Sequence, residues 1–327
     1  MNQLDVMILK ILAEANRPMG SGRIAELIEE RFGEKYSTRS IRYRLQKMED
    51  KGLIRRVRRN DRVVGAEITE WGLTALKIET SSERVGMYLS VIEEMAYRCS
   101  FDPDVMKGRV VCNVSVVKRE HLDDFLDAVV ETYRAGISPS PLVAVKEDLS
   151  DHDVEVGEDE VAVLTVCSVT IDGVLINRGI PVTPVCGGLL YLEEGEPLGM
   201  QEYIEYEGST VDPLHVFVAK GMTQVERVLE TGTGLVPANV RYVPWAALED
   251  VERVERELEK ADIRGIVDVP KVEGEILGIP LPPRSLGIVA YGGLVPVALL
   301  EERGISTRTY PTRTLVEYSS LEDARRY

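Results

Sequence analysis

The sequence predicts a mixed α/β (α+β) architecture in which a small helical head ending in a hairpin precedes a larger mixed domain. Three observations predict it. Apolar residues keep helical spacing through three short segments before residue 51, two strand-like runs flank an arginine-rich turn directly after them, and helical and strand-like patterns mix through the rest of the chain. At about 100–200 residues per domain, a chain of 327 residues with 44% hydrophobic content makes two or three domains, each able to bury its own core.

Leu4, Met7, Ile8, Ile11, Leu12 and Ala15 share one helical face, and Arg17-Pro18-Met19-Gly20 ends the pattern. Ser21 caps a second helix whose inner face is Ile24, Leu27, Ile28 and Phe32, with Gly33 just beyond it. Ser37 caps a third, with Ile41, Leu45 and Met48 inward and Gly52 as the stop. Strands follow over Leu53 to Val57 and Val63 to Ile68, joined by Arg58-Arg59-Asn60-Asp61-Arg62. Three helices and a hairpin in this order make a winged helix-turn-helix, placed at 1–82, with Thr69 to Leu76 as its closing segment and Trp71 in its core.

The formal net charge is −16. Spread evenly, it would exclude nucleic acid, because phosphate binding needs local cations to displace counterions. It is not spread evenly. Residues 1–84 carry 17 Lys and Arg against 13 Asp and Glu, the remainder carries 22 against 42, and within 35–62 eleven basic residues meet three acidic ones. That basic stretch coincides with the third helix and the hairpin. Arg39, Tyr43, Gln46 and Asp50 lie opposite the apolar stripe, Ser40, Arg42 and Lys47 flank them, and Ser37 and Thr38 stand at the helix start. Arg and Gln grip purine edges with paired hydrogen bonds, Tyr and Ser reach phosphates, and a helix N-terminus offers free N–H groups. In the wing, Arg56, Arg58, Arg59 and Arg62 suit the DNA backbone or the minor groove. The competing readings are a solvated charged helix and a winged helix that binds protein.

Val85, Tyr88, Leu89, Ile92, Met95 and Ala96 predict a helix over 83–98, either a dimer helix or a packed linker. Winged helices usually read two-fold-related half-sites, so a homodimer or higher oligomer is expected. In the remaining domain, 99–327, the pattern gives a strand over Val110 to Val117, a helix over His121 to Arg134, and strands over Leu142 to Lys146 and Glu160 to Ile171. Asp172-Gly173 reads as a hairpin turn before a strand over Val174 to Asn177. Helices near Thr223 to Glu230 and Trp245 to Ala261 precede strands near Ile263 to Val269, Ser285 to Tyr291 and Arg313 to Tyr318. Gly173 to Pro181 before Gly187-Gly188, and Gly274 to Pro280 before Gly292-Gly293, offer two readings. One is an internal repeat making two similar lobes with a ligand cleft between them, and the other is convergent turn chemistry.

No dinucleotide or P-loop glycine motif, nucleophile elbow or zinc-protease motif is present. Cys99, Cys112, Cys167 and Cys186 form no C-x-x-C pair and read as buried thiols of a reducing compartment, with no metal site. Cys186 beside Gly187-Gly188 is a nucleophile only if exposed, and the buried reading is preferred; His152 in its acidic run reads as solvent-facing. With no apolar run of membrane-spanning length and no secretory leader, a soluble cytoplasmic protein without a membrane partner is expected. Glycine-rich turns let backbone N–H groups approach an anion, and Arg178, Lys220, Arg241 and Arg284 stand in apolar, Gly- and Pro-rich stretches. With Thr170, Cys186, Gly187, Gly188, Gly292 and Gly293 they are the candidate contacts for an anionic effector.

Ser37-Thr-Arg-Ser-Ile-Arg-Tyr43, Ser168-Val-Thr-Ile-Asp-Gly-Val-Leu175, Gly179-Ile-Pro181, Cys186-Gly-Gly-Leu189, the Gly232 to Pro244 run and Tyr291-Gly-Gly-Leu294 carry a resemblance. Along essentially its whole length the chain resembles the archaeal nitrogen-repression regulators called NrpR. That resemblance implies a repressor of nitrogen-assimilation and nitrogen-fixation genes rather than an enzyme. It would bind palindromic double-stranded operators and be released by 2-oxoglutarate, an effector and not a cofactor. Family members carry two regulatory domains, or one with the other on a separate chain. Here one fits, so a second NrpR-type subunit joins the expected partners. The residues alone also allow a metabolic enzyme carrying a regulatory DNA-binding head.

Overall fold

The computed structural model describes residues 3–15, 17–59, 62–69, 72–73, 87–149, 152 and 154–326, with the backbone alone at Gln3, Arg59 and Arg62. The chain divides into two compact units, residues 1–85 and 86–327.

The first unit runs α1 (Gln3–Glu14), α2 (Ser21–Phe32), α3 (Thr38–Asp50), β1 (Ile54–Arg59) and β2 (Arg62–Ile68). Ile8, Ile24, Ile28, Ile41, Leu45 and Met48 meet in its core, as the helical spacing requires. Phe32 does not join them and is exposed, because it falls in the last residue of α2, where the inward stripe has already turned away. Ser37 caps α3, its hydroxyl accepting the Ser40 N–H at 3.1 Å. Ser21 is the first residue of α2 and not its cap, which is Gly20 in extended backbone; Gly33 ends the helix at φ 71°. β1 and β2 pair antiparallel from Ile54 opposite Ile68, and Met19 adds a bridge to Ala66. A Cβ on Gly65 would lie 2.7 Å from the Met19 nitrogen, so only glycine admits this third backbone. Trp71 and most of the closing segment lie outside the described residues.

The second unit begins with α4 (Met87–Arg98), the described part of the helix expected over 83–98. Ile92, Met95 and Ala96 are buried in the core of this unit, so the segment is a packed element of the larger domain. There follow β3 (Arg109–Lys118), α5 (Leu122–Arg134), β4 (Leu142–Lys146), β5 (Glu160–Val166), α6 (Val169–Asn177), β6 (Thr183–Glu193) and β7 (Glu196–Glu205). Then come α7 (Pro213–Ala219), α8 (Val225–Thr231), β8 (Gly234–Pro244), α9 (Leu248–Lys260) and the short hairpin β9 (Glu275–Ile276) and β10 (Ile279–Pro280). The last elements are β11 (Ser285–Tyr291), α10 (Val295–Glu302), β12 (Arg308–Glu317) and β13 (Glu322–Asp323). Two antiparallel sheets result, in the orders β12-β3-β5-β4-β13 and β11-β8-β6-β7.

Several expectations fail here. Val169–Asn177 is a helix, not the end of one strand and the start of another; Asp172 and Gly173 lie inside it. Every residue from Val169 to Leu175 is buried, so the helix has no polar face to reveal its period. The stretch 263–269 makes a single bridge, Ile266 to Ala290, rather than a strand. β7, β8, α7 and α10 had no counterpart in the sequence reading.

The repeat drawn from Gly173 and Gly274 is not present, since Gly173 is helical and Gly274 lies in a turn before β9. A different duplication is. β3-α5-β4-β5-α6-β6 and β8-α9-β11-α10-β12 follow one plan, the Ile266 bridge standing for β4. Leu122 and Leu248, which open α5 and α9, are 126 positions apart, as are Val169 and Val295, which open α6 and α10. The halves exchange their last strands: β12 pairs with β3, and β6 pairs with β8. The core is correspondingly shared, with Val110, Leu164 and Leu175 of the first half packed in one cluster with Val243, Leu258 and Ile288 of the second.

Candidate functional site

In the first unit, α3 turns Ile41, Leu45 and Met48 inward and leaves Arg39, Arg42, Tyr43, Gln46 and Lys47 exposed, with Thr38 and Ser40 half-buried. Arg39 has no partner among the described residues, and Arg58 of the wing likewise. Lys47 Nζ stands 4.8 Å above the Tyr43 ring, and its hydrogen bond and charge hold that phenol below its ordinary pKa. Gln46 donates to Asp50 at 3.0 Å, and Arg42 to the Ser21 hydroxyl at 3.4 Å, both exposed bonds that a phosphate or base can replace. Arg56 differs. Its Nε lies 3.3 Å from Glu49 and its N–H goes to the same carboxylate, so it fastens the wing to α3. Arg44, which faces α1, is held by the buried Asp5 in a two-pronged pair that fixes how the reading helix sits on the head. The side chains of Arg59 and Arg62 lie outside the described residues.

In the second unit a cavity of about 20 Å³ opens between the two halves, room for a single water. Its walls follow from the duplication. Asn113 of β3 and Asn239 of β8, 126 positions apart, face it from opposite halves, and α6 and α10 both begin at it, through Ser168-Val169 and Gly293-Leu294. Two helix N-termini thus direct their partial positive charge at one space. A Cβ on Gly293 would lie 2.5 Å from Asn113 Nδ2, so only glycine lets α10 start this close. Asn239 donates to the Ser168 hydroxyl at 2.9 Å and accepts from Arg241. Arg241 is 3% exposed, with Nε 3.0 Å from Asp172 but out of line for a hydrogen bond, and among the described residues its Nη1 has no partner. Burial pushes Asp172 up to about 6, against the downward pull of the Arg241 charge. On the far wall, Tyr88 donates to Asp212 at 2.5 Å, and Asp212 caps α7 by accepting the Leu214 N–H at 2.7 Å. Burial raises Asp212, opposed by those same hydrogen bonds.

Of the ten effector candidates, the fold brings five toward this cavity. Gly293 lines it, Gly292 lies against the lining residue Leu214, and Gly187 backs Tyr206 and Leu214. Arg241 stands behind Asn239, and Thr170 ties α6 to β3 by exchanging hydrogen bonds with both backbone groups of Val111. The others are elsewhere. Gly188 abuts Tyr203 of β7, Cys186 lies in the core with its thiol pushed up to about 12 by burial, and Lys220 and Arg284 are exposed. Arg178 meets Asp102, Asp104 and Glu257, and its counterpart Arg303 meets Glu131 and Glu226. The duplication has therefore kept a pair of ion clusters on the surface. The cavity residues Asn113, Ser168, Asn239 and Thr312 were not singled out from the sequence. Their signal was present: Asn113 directly follows the apolar run Val110 to Cys112 and Asn239 the apolar run Leu235 to Ala238.

A winged-helix head with exposed cations on its third helix, joined to a duplicated α+β body, defines a DNA-binding transcriptional regulator. Residues 85–323 match the NrpR regulatory domains NRD1 and 2, and residues 6–76 match the ribonuclease R winged-helix domain. The chain belongs to the NrpR family of nitrogen regulators. It is 30% identical over 318 residues to the global nitrogen regulator NrpRI of Methanosarcina mazei, covering 97% of both chains. It is 30% identical to the global nitrogen regulator NrpR of Methanococcus maripaludis, over 98% of this chain but 55% of that one, so it spans about half that relative's length. A crystal structure of a nitrogen repressor-like protein from Methanococcus jannaschii superposes with a TM-score of 0.61 at 26% identity, covering 72% of this chain and 98% of that one. No helix among the described residues is long and apolar enough to cross a membrane.

Proposed function

We propose that this chain represses nitrogen-assimilation and nitrogen-fixation genes by binding palindromic operator DNA as a homodimer or with a second NrpR-type subunit, and that 2-oxoglutarate releases it. The observation that carries the effector assignment is the pair of helix N-termini, one from each half, that meet at a single cavity beside a buried guanidinium with an unpaired Nη1. A short dicarboxylate has one carboxylate for each helix end. The cavity of about 20 Å³ is smaller than that ligand. Binding therefore has to widen the space between the halves, and a ligand that prefers the opened body lowers the population of the closed one. Coupling of about 1–3 kcal/mol per site lowers operator affinity roughly 5–150-fold. The DNA assignment rests on the exposed face of α3 and the wing.

The test is calorimetric titration of 2-oxoglutarate into the full chain, with operator affinity followed by anisotropy at fixed salt. Binding that disappears in Arg241→Lys, with operator affinity falling as 2-oxoglutarate is added to the unmodified chain, supports the proposal. Unchanged DNA affinity at saturating 2-oxoglutarate overturns the effector assignment.

A further inference from the structure

Between the cavity and α4 runs a directed chain of hydrogen bonds. The Tyr88 hydroxyl has one proton and gives it to Asp212 at 2.5 Å, so the Thr312 hydroxyl, 3.1 Å away, donates to Tyr88. The Cys167 thiol, 3.6 Å from Thr312 Oγ1, then supplies the proton that Thr312 accepts. The Thr312 N–H goes to Asn113 Oδ1 at 3.0 Å. Thr312 thus joins a strand of each half to the first turn of α4.

Thr312 is also strained. Its φ is +48°, a region that β-branched residues avoid, and it sits where the β12–β3 register breaks between Tyr310 and Thr314. The matching position in the first half, 125 residues earlier, is Gly187, whose backbone carries no such strain. The side-chain bonds from Asn113 and Tyr88 hold the irregular backbone in place of a strand ladder. α4 is the first described element after the winged helix, and Tyr88 is its second residue.

We propose that Tyr88 is a positioning residue for the effector response: its hydroxyl latches α4 to the strained bulge at Thr312, and a cavity occupant that engages Asn113 releases that latch. The inference rests on the cavity being the effector site. It assigns the step by which occupancy reaches the helix that follows the DNA-binding head.

Hydrogen exchange of the α4 amides in the full chain tests it. Tyr88→Phe keeps the ring and removes the bonds, and should raise α4 exchange about tenfold while α9 is unchanged. In the unmodified chain 2-oxoglutarate should speed α4 exchange. In Tyr88→Phe, saturated with 2-oxoglutarate as checked by calorimetry, α4 exchange should show no further change. A variant whose α4 still responds as the unmodified chain does overturns the latch. A second arm needs no ligand. Asn113→Ser removes the acceptor of the Thr312 N–H, and no hydrogen bond joins Asn113 to Tyr88 among the described residues, so it should speed α4 exchange in the unmodified background and leave the Tyr88→Phe background unchanged. Equal increments in both backgrounds overturn the proposal. If Asn113→Ser fails to fold, the isosteric Thr312→Val takes its place in the same cycle. Should 2-oxoglutarate not bind the unmodified chain, the effector assignment fails, and the cycle still decides the latch.

Discussion

Arg39 and Arg241 both carry donors to spare, one in solvent and one in the core. Arg39 costs the folded head nothing and is available to a purine edge. Arg39→Ala should therefore weaken operator binding by about 1–3 kcal/mol, with the unfolding midpoint unchanged, measured by anisotropy at fixed salt alongside a thermal melt. Arg241 is held by the chain around it, and its charge is answered by Asp172. Asp172 titrates near 6 when folded against an ordinary 3.8, so the folded state keeps the proton between those values. Stability from this group is accordingly present at low pH and lost as pH rises from about 4 to 6, by roughly 3 kcal/mol. Subtracting the urea-unfolding free energies of Asp172→Asn from those of the unmodified chain at pH 4, 5, 6 and 7 should isolate that slope. A flat difference would show that Asp172 is ionised throughout. Exposed cations at helical spacing could be found from the sequence because periodicity alone turns them outward. Arg178 and Arg241 could not be told apart there. What separates them is which carboxylates the fold brings near, and those lie 76 and 69 positions away in the chain for Asp102 and Asp172.

At the scale of elements, legibility followed amphipathicity. α2, α3, α5 and α9 each have one apolar stripe and were readable, whereas α6 and α10 bury almost every residue and show no period. Gly187-Gly188 read as a turn, yet both glycines lie within β6. There a Cβ on Gly188 would sit 2.2 Å from the Glu202 carbonyl of β7. Close backbone approach and chain reversal draw on the same residue, and only the partner strand tells them apart. The same reasoning yields a prediction at Gly65. Gly65→Ala drives a methyl into the Met19 backbone, and should cost the head about 2–3 kcal/mol, seen as lost exchange protection at Met19 and Ala66 with α5 unaffected.

For the whole molecule, the cavity was hidden because its walls come from two halves whose sequences no longer match where α6 and α10 begin: Cys167-Ser168 on one side and Gly293-Leu294 on the other. The charge distribution was plain in the sequence and has a thermodynamic consequence. A protein of net charge −16 that holds DNA through one basic patch gains little from long-range attraction and much from counterion release at a few phosphates. Arg58→Ala should lower the slope of log affinity against log salt by about one, with the loss uniform across DNA sequences.

The exchanged strands leave neither half of the body able to stand alone. Removing β12 takes away a neighbour of β3, and removing β6 takes away the strand between β8 and β7. Such an arrangement is what remains when two identical chains that traded their last strands become joined end to end. It also means that a protease cutting the exposed Glu207-Gly208 link severs the chain without parting the fragments, which should still elute together until denatured. Any opening between the halves must then be a rotation about two shared ladders, because separation would require breaking both.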